Sequence, residues 1–597
     1  MNKSFLPVSR EDIAERGWRE LDIILVTGDA YVDHPSYGAA VIGRVLENAG
    51  FKVGIIAQPD CNGTTDFERL GRPKLFFGVT AGNLDSMVSN YTANKLPRSD
   101  DDYSPGGASG LRPDRATIVY TNKIRQAFGS VPVIIGGMEA SMRRLAHYDY
   151  WSDKVRRSVL LDSKADILVY GMGESQILEI AGRLKKGGRV KEISDVRGTV
   201  IARNSIEGFE GIIAIPSFEE VAGDKLKFIS AAKSMYYESD PVRGKTIAQK
   251  HDNRFVIALP PAKPLEAGEL DAIYALPYTR MWHPSYDASG GVPGLETVRF
   301  SVTSHRGCPG GCNFCSLYMH QGRILQGRSE KSIIDEIKRM ASREDFTGTI
   351  TDIGGPTANM YAARCSSWNK AGACRNKRCL VPVRCPSLKP GYSETLRLWQ
   401  KALAVPKVNH VFIGSGIRYD LAADDGANAY LKALCSSHIS GQLKVAPEHT
   451  ESSVLALMSK PQFEVYEEFT KRFGEANKGL IRKQYLVNYF IIGHPGSGLA
   501  ETLRMALKLE SMGIRPEQVQ DFIPLPMTIS GCMYYTETDP FTDKKIYVPK
   551  GARERRLQRA LIQHSRPDNK KYVVEALRRL NKMRLIGKLL KNRKPRR

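Results

Sequence analysis

Ser304-His305-Arg306-Gly307-Cys308-Pro309-Gly310-Gly311-Cys312-Asn313-Phe314-Cys315 sets the reading of the other parts of this 597-residue chain. Its cysteines stand at C-x3-C-x2-C, on a loop expected to follow a short strand from Val298 to Thr303. Cysteinate sulfur ligates iron–sulfur clusters. Three thiolates therefore serve three irons of a [4Fe–4S] cube and leave the fourth open. Gly310 and Gly311 let the loop bend so that the sulfurs converge, and Phe314 offers a flat apolar face beside them. A zinc knuckle or three unrelated buried cysteines are the competing readings. Zinc sites usually close a tetrahedron with a fourth nearby ligand, and none stands in this stretch.

Downstream, strand alternates with helix about six times. The expected strands are Val298–Thr303, Thr349–Ile353, His410–Ile413, Leu443–Val445, Tyr485–Ile492 and Val519–Ile523. Expected helices include Ser332–Met340, with Ile333, Ile334, Ile337 and Met340 on one face, and Tyr392–Ala404, Ala427–Cys435, Ser452–Met458 and Leu499–Met512. Six units fall short of an eight-stranded barrel and fit a partial (βα)6 barrel over residues 294–562. Barrel sites lie where strands end, and the polar residues gather there. Gly354 and Gly355 permit close backbone approach after the second strand. Ser415 and Arg418 follow the third, placed for a hydroxyl or a carboxylate, with a surface salt bridge as the competing reading for Arg418. Lys444, Glu448 and His449 flank the fourth, suited to ligand binding or proton transfer.

Upstream, the apolar runs Leu21–Thr27, Lys52–Ala57, Leu75–Val79, Val131–Ile135 and Ile167–Tyr170 alternate with helical patterns such as Tyr37–Ala49. This predicts an α/β, doubly wound N-terminal domain with glycine-rich strand ends at Gly136-Gly137 and Gly171-Met172-Gly173. Gly136 to Arg144 reads either as a binding loop or as a turn opening an exposed basic helix. From Phe209 to Thr297 the pattern weakens, apart from a helix at Lys225–Glu238. The aromatic, proline- and glycine-rich Leu276–Pro293 reads as a linker over the next domain's mouth, so the first domain is assigned residues 1–293.

Seven of the ten cysteines crowd between Cys308 and Cys385. Cys365, Cys374, Cys379 and Cys385 lie in an insertion at 361–390 with many Arg and Lys and little apolar matter. An auxiliary [4Fe–4S] cluster or a structural zinc would organise it; the alternative is free or substrate-contacting cysteines. The formal charge of +23 is concentrated at the end, where residues 551–597 hold 17 Lys/Arg against Glu554, Asp568 and Glu575. The basic C-terminal tail, 563–597, reads as a solvated segment or as one that binds RNA or another polyanion, in part as a basic amphipathic helix. No apolar run of about 18 residues or more predicts a membrane span. Met1 to Arg19 lacks the apolar stretch of a secretory signal. Crowded cysteines without such a signal point to a cytoplasmic, reducing compartment.

C-x3-C-x2-C with an aromatic residue before its last cysteine resembles the signature of the radical S-adenosylmethionine (SAM) superfamily. With Asp352-Ile353-Gly354-Gly355-Pro356-Thr357, Ser415-Gly416-Ile417-Arg418-Tyr419-Asp420, Lys444-Val445-Ala446-Pro447-Glu448-His449 and the Cys365–Cys385 group, nearly the whole chain resembles the YgiQ-type radical SAM family. That resemblance implies a [4Fe–4S] cluster on Cys308, Cys312 and Cys315 whose open iron chelates SAM, and reductive cleavage of SAM to a 5′-deoxyadenosyl radical. It implies SAM contacts from Phe314, Gly354, Gly355, Ser415, Arg418, Lys444 and Glu448, and an electron donor such as flavodoxin or ferredoxin. It implies no particular substrate and singles out no catalytic residue. The first domain is similar to the cobalamin-binding-type Rossmann domain. Asp33 and His34 are adjacent, however, where that domain has Asp-x-His-x-x-Gly, so cobalamin is not expected and His34 reads as a loop or substrate-side histidine. The alternative to an enzyme is a structural metal-binding, RNA-associated protein without SAM turnover.

Overall fold

Ile23–Thr27, apolar except for its last residue, is buried along its whole length because it lies inside a sheet with a parallel neighbour on each side. The computed structural model describes residues 5–590; residues 1–4 of the N-terminal stretch and 591–597 of the basic tail lie outside the described residues. The parallel strands run Val53–Ala57, Ile23–Thr27, Phe76–Thr80, Val133–Gly136, Ile167–Val169 across the sheet. In sequence order this is 2-1-3-4-5, a doubly wound arrangement whose switch point falls between Ile23–Thr27 and Phe76–Thr80. Ligands bind such sheets at the carboxyl ends of the strands flanking that point.

The sheet then continues past the parallel part. Thr199–Arg203 runs antiparallel to Ile167–Val169, followed by Arg254–Ala258, Ile247–His251 and Ile213–Ile215, which makes nine strands. Three strands of this sheet therefore lie in the stretch from 209 expected to be weakly patterned. The strands are short, and Gln249 and His251 occupy buried positions of Ile247–His251 where apolar residues would have announced it. The aromatic linker touches both domains: on the barrel side its Arg280 donates to Arg299 O and Ser301 O at 2.7 and 3.1 Å. Met281–Trp282 pairs with Val32–Asp33, and Tyr31 donates its backbone N–H to the Tyr286 hydroxyl at 3.1 Å, so this segment packs on the first domain.

Pro293–Val298 is a helix with proline at its first position, where the missing N–H costs nothing. The strand expected from Val298 begins only at Ser301 and ends at Thr303. Ser301–Thr303 pairs in parallel with Asp352–Gly354, Thr349–Ile350 with His410–Val411, and Gln442–Glu448 with Tyr485–Ile492, which pairs with Gln518–Asp521. All are parallel, as a partial barrel requires. Glu330–Ala341 covers it with Ile333, Ile337 and Met340 buried. Phe463–Ala476, absent from the expected helices, buries Phe463, Tyr466, Phe469 and Phe473. Near the C-terminus, Ala552–Ile562 packs on Leu499–Ser511 and Lys570–Arg579 packs on Ala552–Ile562, with Val573, Ala576 and Leu577 fully buried. The amphipathic helix expected within the basic tail is formed at Lys570–Arg579.

Candidate active site

The cysteine loop leaves the barrel where Thr303 lies opposite Gly354, and Ser304 donates its N–H to the Gly354 carbonyl at 2.6 Å. His305–Arg306 then pairs with Gln326–Gly327. Gly307 turns the chain at φ 85°, a left-handed conformation that favours glycine, and Cys308 N–H donates to the Gly322 carbonyl at 3.0 Å. At the far end Asn313 donates its side-chain amide to Leu457 O at 2.7 Å and its N–H to Met458 O at 2.9 Å. The loop is thus held at both ends before any ligand is considered.

Its three thiols converge closely enough to act on one another. Burial pushes Cys315 up to about 12, and Cys312 and Cys308 push in the same direction. Burial also raises Cys308, opposed by the Arg418 guanidinium. Arg418 Nη1 donates toward Cys312 Sγ at 3.6 Å, while Nε and Nη2 bind Asp420 at 2.9 and 2.6 Å. Arg418 does form a salt bridge, with Asp420, but the pair is largely buried rather than on the surface and sets the guanidinium beside Cys312. Phe314 packs edge-on to His494, ring centres 6.2 Å apart. Among the described residues, no group of three or more His, Cys, Asp or Glu side chains stands in metal-holding geometry. The support for a cluster is the donor chemistry and the convergence of the loop.

Beside the loop, a cavity of about 650 Å³ lies between the carboxyl edge of the first domain's sheet and the mouth of the barrel. One wall is Thr80 and Gly82, beside the switch point, with Gly136 and Gly137 at the end of the next strand; the other includes His305, Arg306, Gly354, Gly355 and Ser415. Met138 on the first wall packs in the same apolar cluster as Cys308 and Cys315. The barrel wall is interlocked. Asp352 Oδ1 accepts from Gly414 N, Ser415 N and Ser415 Oγ at 2.9, 3.1 and 3.1 Å. A Cβ on Gly354 would stand 2.7 Å from Asp352 Oδ2, and one on Gly355 2.5 Å from His305 O. Both positions need glycine for lack of room.

His305 is buried, with Nδ1 on Ser304 Oγ at 2.9 Å and Nε2 without a hydrogen bond of normal geometry. Burial lowers it to about 4, against a backbone group of Thr357 that favours the proton, so the ring is neutral near pH 7. Arg306 spans to the first domain. Its Nη1 meets Glu174 Oε1 at 2.5 Å, both side chains being buried. Neither His305 nor Glu174 was marked by its surroundings in sequence. The signal for His305 was its place three residues before Cys308; for Glu174, its place just after the Gly171–Gly173 strand end.

The remaining expected positions are split. Lys444 is exposed and acts on Asp352 only through its charge. Glu448 is buried at φ 69°, 3.8 Å from Lys460; burial raises its pKa, with Lys460 and Arg418 opposing. His449 binds Ser497 Oγ at 3.0 Å and accepts from Glu451 N, an internal role. In the Gly136–Arg144 segment the glycines line the cavity, but the basic residues do not face solvent. Arg143 pairs with Asp85, and Arg144 lies over the Tyr170 ring. His34 stands on the loop after Val32–Asp33, fully buried, its ring held by Ser36 N and Arg280, and it does not line the cavity. Cys365, Cys379 and Cys385 share an apolar cluster with Cys308, whereas Cys374 is exposed outside it.

A family model described as Radical SAM N-terminal matches residues 5–301, and one described as Domain of unknown function (DUF3362) matches residues 517–595. A UPF0313 protein of Clostridium botulinum (strain Kyoto / Type A2) is 51% identical over 586 residues, covering 98% of this chain and 91% of that protein. A UPF0313 protein of Methanocella arvoryzae is 51% identical over 580 residues, 97% of this chain and 96% of that one. The chain belongs to the UPF0313 family. UPF0313 is the YgiQ-type family that the motifs resemble, and the chain is an enzyme of the radical SAM class, with the iron–sulfur and SAM binding that go with it. Among solved structures, the radical SAM methyltransferase TsrM of Kitasatospora setae aligns at TM-score 0.49 and 15% identity, over 85% of this UPF0313 chain and 75% of that one. The cobalamin-dependent SAM radical enzyme OxsB aligns at TM-score 0.46 and 10% identity, over 89% and 57%. Among the described residues no helix is long and apolar enough to cross a membrane.

Proposed function

We propose that Cys308, Cys312 and Cys315 hold a [4Fe–4S] cluster with one iron left for SAM, that SAM lies along Gly354, Gly355 and Ser415, and that substrate occupies the 650 Å³ cavity. The observation that carries this reading is that Met138, a cavity-wall residue, packs against the same apolar cluster of Met142, Tyr318 and Met319 as Cys308 and Cys315 do. A group formed beside the thiols would lie one layer of side chains from a large, mainly apolar cleft. The cluster, when bound and reduced, supplies the electron for cleavage of the SAM sulfur–carbon bond.

The chain's own residues do the rest. Arg418, fixed by Asp420, sets a positive charge against thiolates that burial would otherwise keep protonated. Asp352 fixes Ser415 and the adjoining N–H groups. The glycines bring backbone within reach of SAM, and His305 offers a neutral ring nitrogen. The electron comes from a small donor protein such as flavodoxin or ferredoxin. Cobalamin held through His34 does not fit, because both ring nitrogens are engaged inside the fold. RNA binding by the C-terminal helices rests on charge alone, and Arg553 and Arg579 are already paired with Glu575.

The test is anaerobic reconstitution with iron and sulfide, followed by dithionite and SAM. The expected result is 5′-deoxyadenosine from the parent protein and none from Cys308→Ala. Protein that holds only four-coordinate zinc and leaves SAM intact would overturn the proposal in favour of a structural metal protein.

A further inference from the structure

The insertion at 361–390 has almost no regular structure. It contains one four-residue helix, Trp368–Ala371, and an isolated bridge between Arg364 and Lys389. Its apolar cluster is small, built on Trp368, Ala373, Leu380 and Leu388 with Ile324, Met360 and Leu421 from outside. Ordering a backbone costs roughly 1–2 kcal/mol per residue. Thirty residues on so small a core need another source of order. No disulfide supplies it, since all ten cysteines are free.

Four of those cysteines belong to the insertion, and three of them, Cys365, Cys379 and Cys385, pack together while Cys374 is exposed nearby. Cys379 lies within electrostatic reach of Cys374, Cys365 and Cys385, and Cys385 N–H donates to the Cys379 carbonyl at 2.8 Å. Cys379, Cys365 and Cys385 share the apolar cluster. Cations surround them. Arg323 bonds the Cys374 and Lys377 carbonyls, both at 3.3 Å, and acts on Cys379 through its charge. Arg378 leaves the insertion to bond Gly311 O and, at 2.7 Å, Asn313 Oδ1, both in the SAM-cluster loop. Cys308 itself packs in the insertion's cluster.

We propose that Cys365, Cys374, Cys379 and Cys385 form a second, four-thiolate centre that binds a thiophilic core of charge 2+, and that this centre braces the Cys308–Cys315 loop through Arg378. A zinc ion or a [4Fe–4S] core meets the description equally. Each leaves a net charge of −2 with four thiolates, which the arginines offset. The site is independent of SAM turnover, because its ligands are four cysteines that the first cluster does not use.

The experiment uses the full chain carrying Cys308→Ala, Cys312→Ala and Cys315→Ala, purified anaerobically and assayed for zinc, iron and sulfide. The expected result is about one zinc, or about four irons with matching sulfide, per chain. Zinc without colour identifies the first source, and a brown chromophore with a Mössbauer doublet the second. Adding Cys379→Ser and Cys385→Ser should remove that metal. In parallel, titration of native protein of otherwise unaltered sequence with a thiol reagent should find the four cysteines protected until a chelator and denaturant are added. A triple variant with less than about a tenth of a metal per chain, metal that survives Cys379→Ser with Cys385→Ser, or four freely reactive thiols in native protein would each overturn the proposal. Because the first-cluster ligands are already absent, none of these outcomes depends on whether SAM is cleaved.

Discussion

Arg306, two residues before Cys308, donates to Glu174 at 2.5 Å, and both side chains are almost wholly enclosed. The pair joins the root of the cysteine loop to the helix Glu174–Lys185, which starts at the cavity edge of the first domain. It ties the loop's position to the domain opposite. Removing one partner of a buried pair costs about 3–5 kcal/mol, because the other charge is left enclosed and unpaired. Glu174→Ala should lower the denaturation midpoint accordingly and loosen the loop, read as lower iron content after reconstitution. Arg306→Met with Glu174→Leu should recover much of the stability. If Glu174→Ala alone leaves the midpoint unchanged, the pair does not hold the two domains together.

The glycine wall gives a sharper test of where SAM lies. A methyl group at Gly355 meets His305 O at 2.5 Å and its ring at 2.8 Å, and its three nearest neighbours all belong to His305 rather than to a cysteine. Gly355→Ala should therefore keep the iron content of the parent protein while weakening SAM binding about tenfold or more, measured by calorimetry on the reconstituted protein. Equal affinities for the two proteins would move SAM off this wall.

How far these features were legible in sequence follows from how local their causes are. Ile23–Thr27 reads as a buried strand and Glu330–Ala341 as an amphipathic helix because a few adjacent residues carry the whole pattern. The cysteine loop is legible for the same reason. Ile247–His251 is not, since its buried Gln249 is satisfied by Ala146 N at 2.8 Å, more than a hundred residues away. Arg306 and Glu174 are separated by 132 positions, and nothing near either announces the other. Arg418 illustrates the converse. Its partner Asp420 was in plain view two residues on, but only the fold reveals that the pair lies over Cys312.

Burial also makes this protein acid-sensitive. His147 and His449 are lowered to about 3, and His251, His305, His320 and His494 to about 4, desolvation being the largest cause for each. Below the ordinary histidine value near 6.5, the unfolded chain takes up protons that these folded sites refuse. Stability therefore rises with pH in that window and is lost as pH falls from about 6.5 toward 4, by up to about 1.4 kcal/mol per pH unit for each histidine. Asp29 and Asp85, raised by burial to about 7 and about 6, act in the opposite sense, but they are fewer. Urea midpoints measured from pH 7.5 to 5 should fall steeply. A flat profile would mean that these rings reach water in the folded protein.

The C-terminal charge is best tested by a short deletion. Gln558 accepts from Gly493 N at 2.9 Å and donates to Ser497 O at 2.8 Å, and Arg555 reaches the Tyr150 hydroxyl at 2.7 Å. Removing Gly551 to Arg597 would strip these bonds from the barrel and uncover the surface that Val573, Ala576 and Leu577 bury. Loss of RNA retention after that deletion would report unfolding, with a stability cost of several kcal/mol. Removing residues 591–597 instead takes away Lys591, Arg593, Lys594, Arg596 and Arg597. It should change the urea midpoint by less than about 0.5 kcal/mol equivalent. If the chain holds RNA electrostatically through its end, the short deletion should weaken binding at fixed salt and flatten the dependence of log affinity on log salt. Identical slopes for the full and shortened chains would take those five cations out of any polyanion contact and leave the folded helices to account for whatever retention persists.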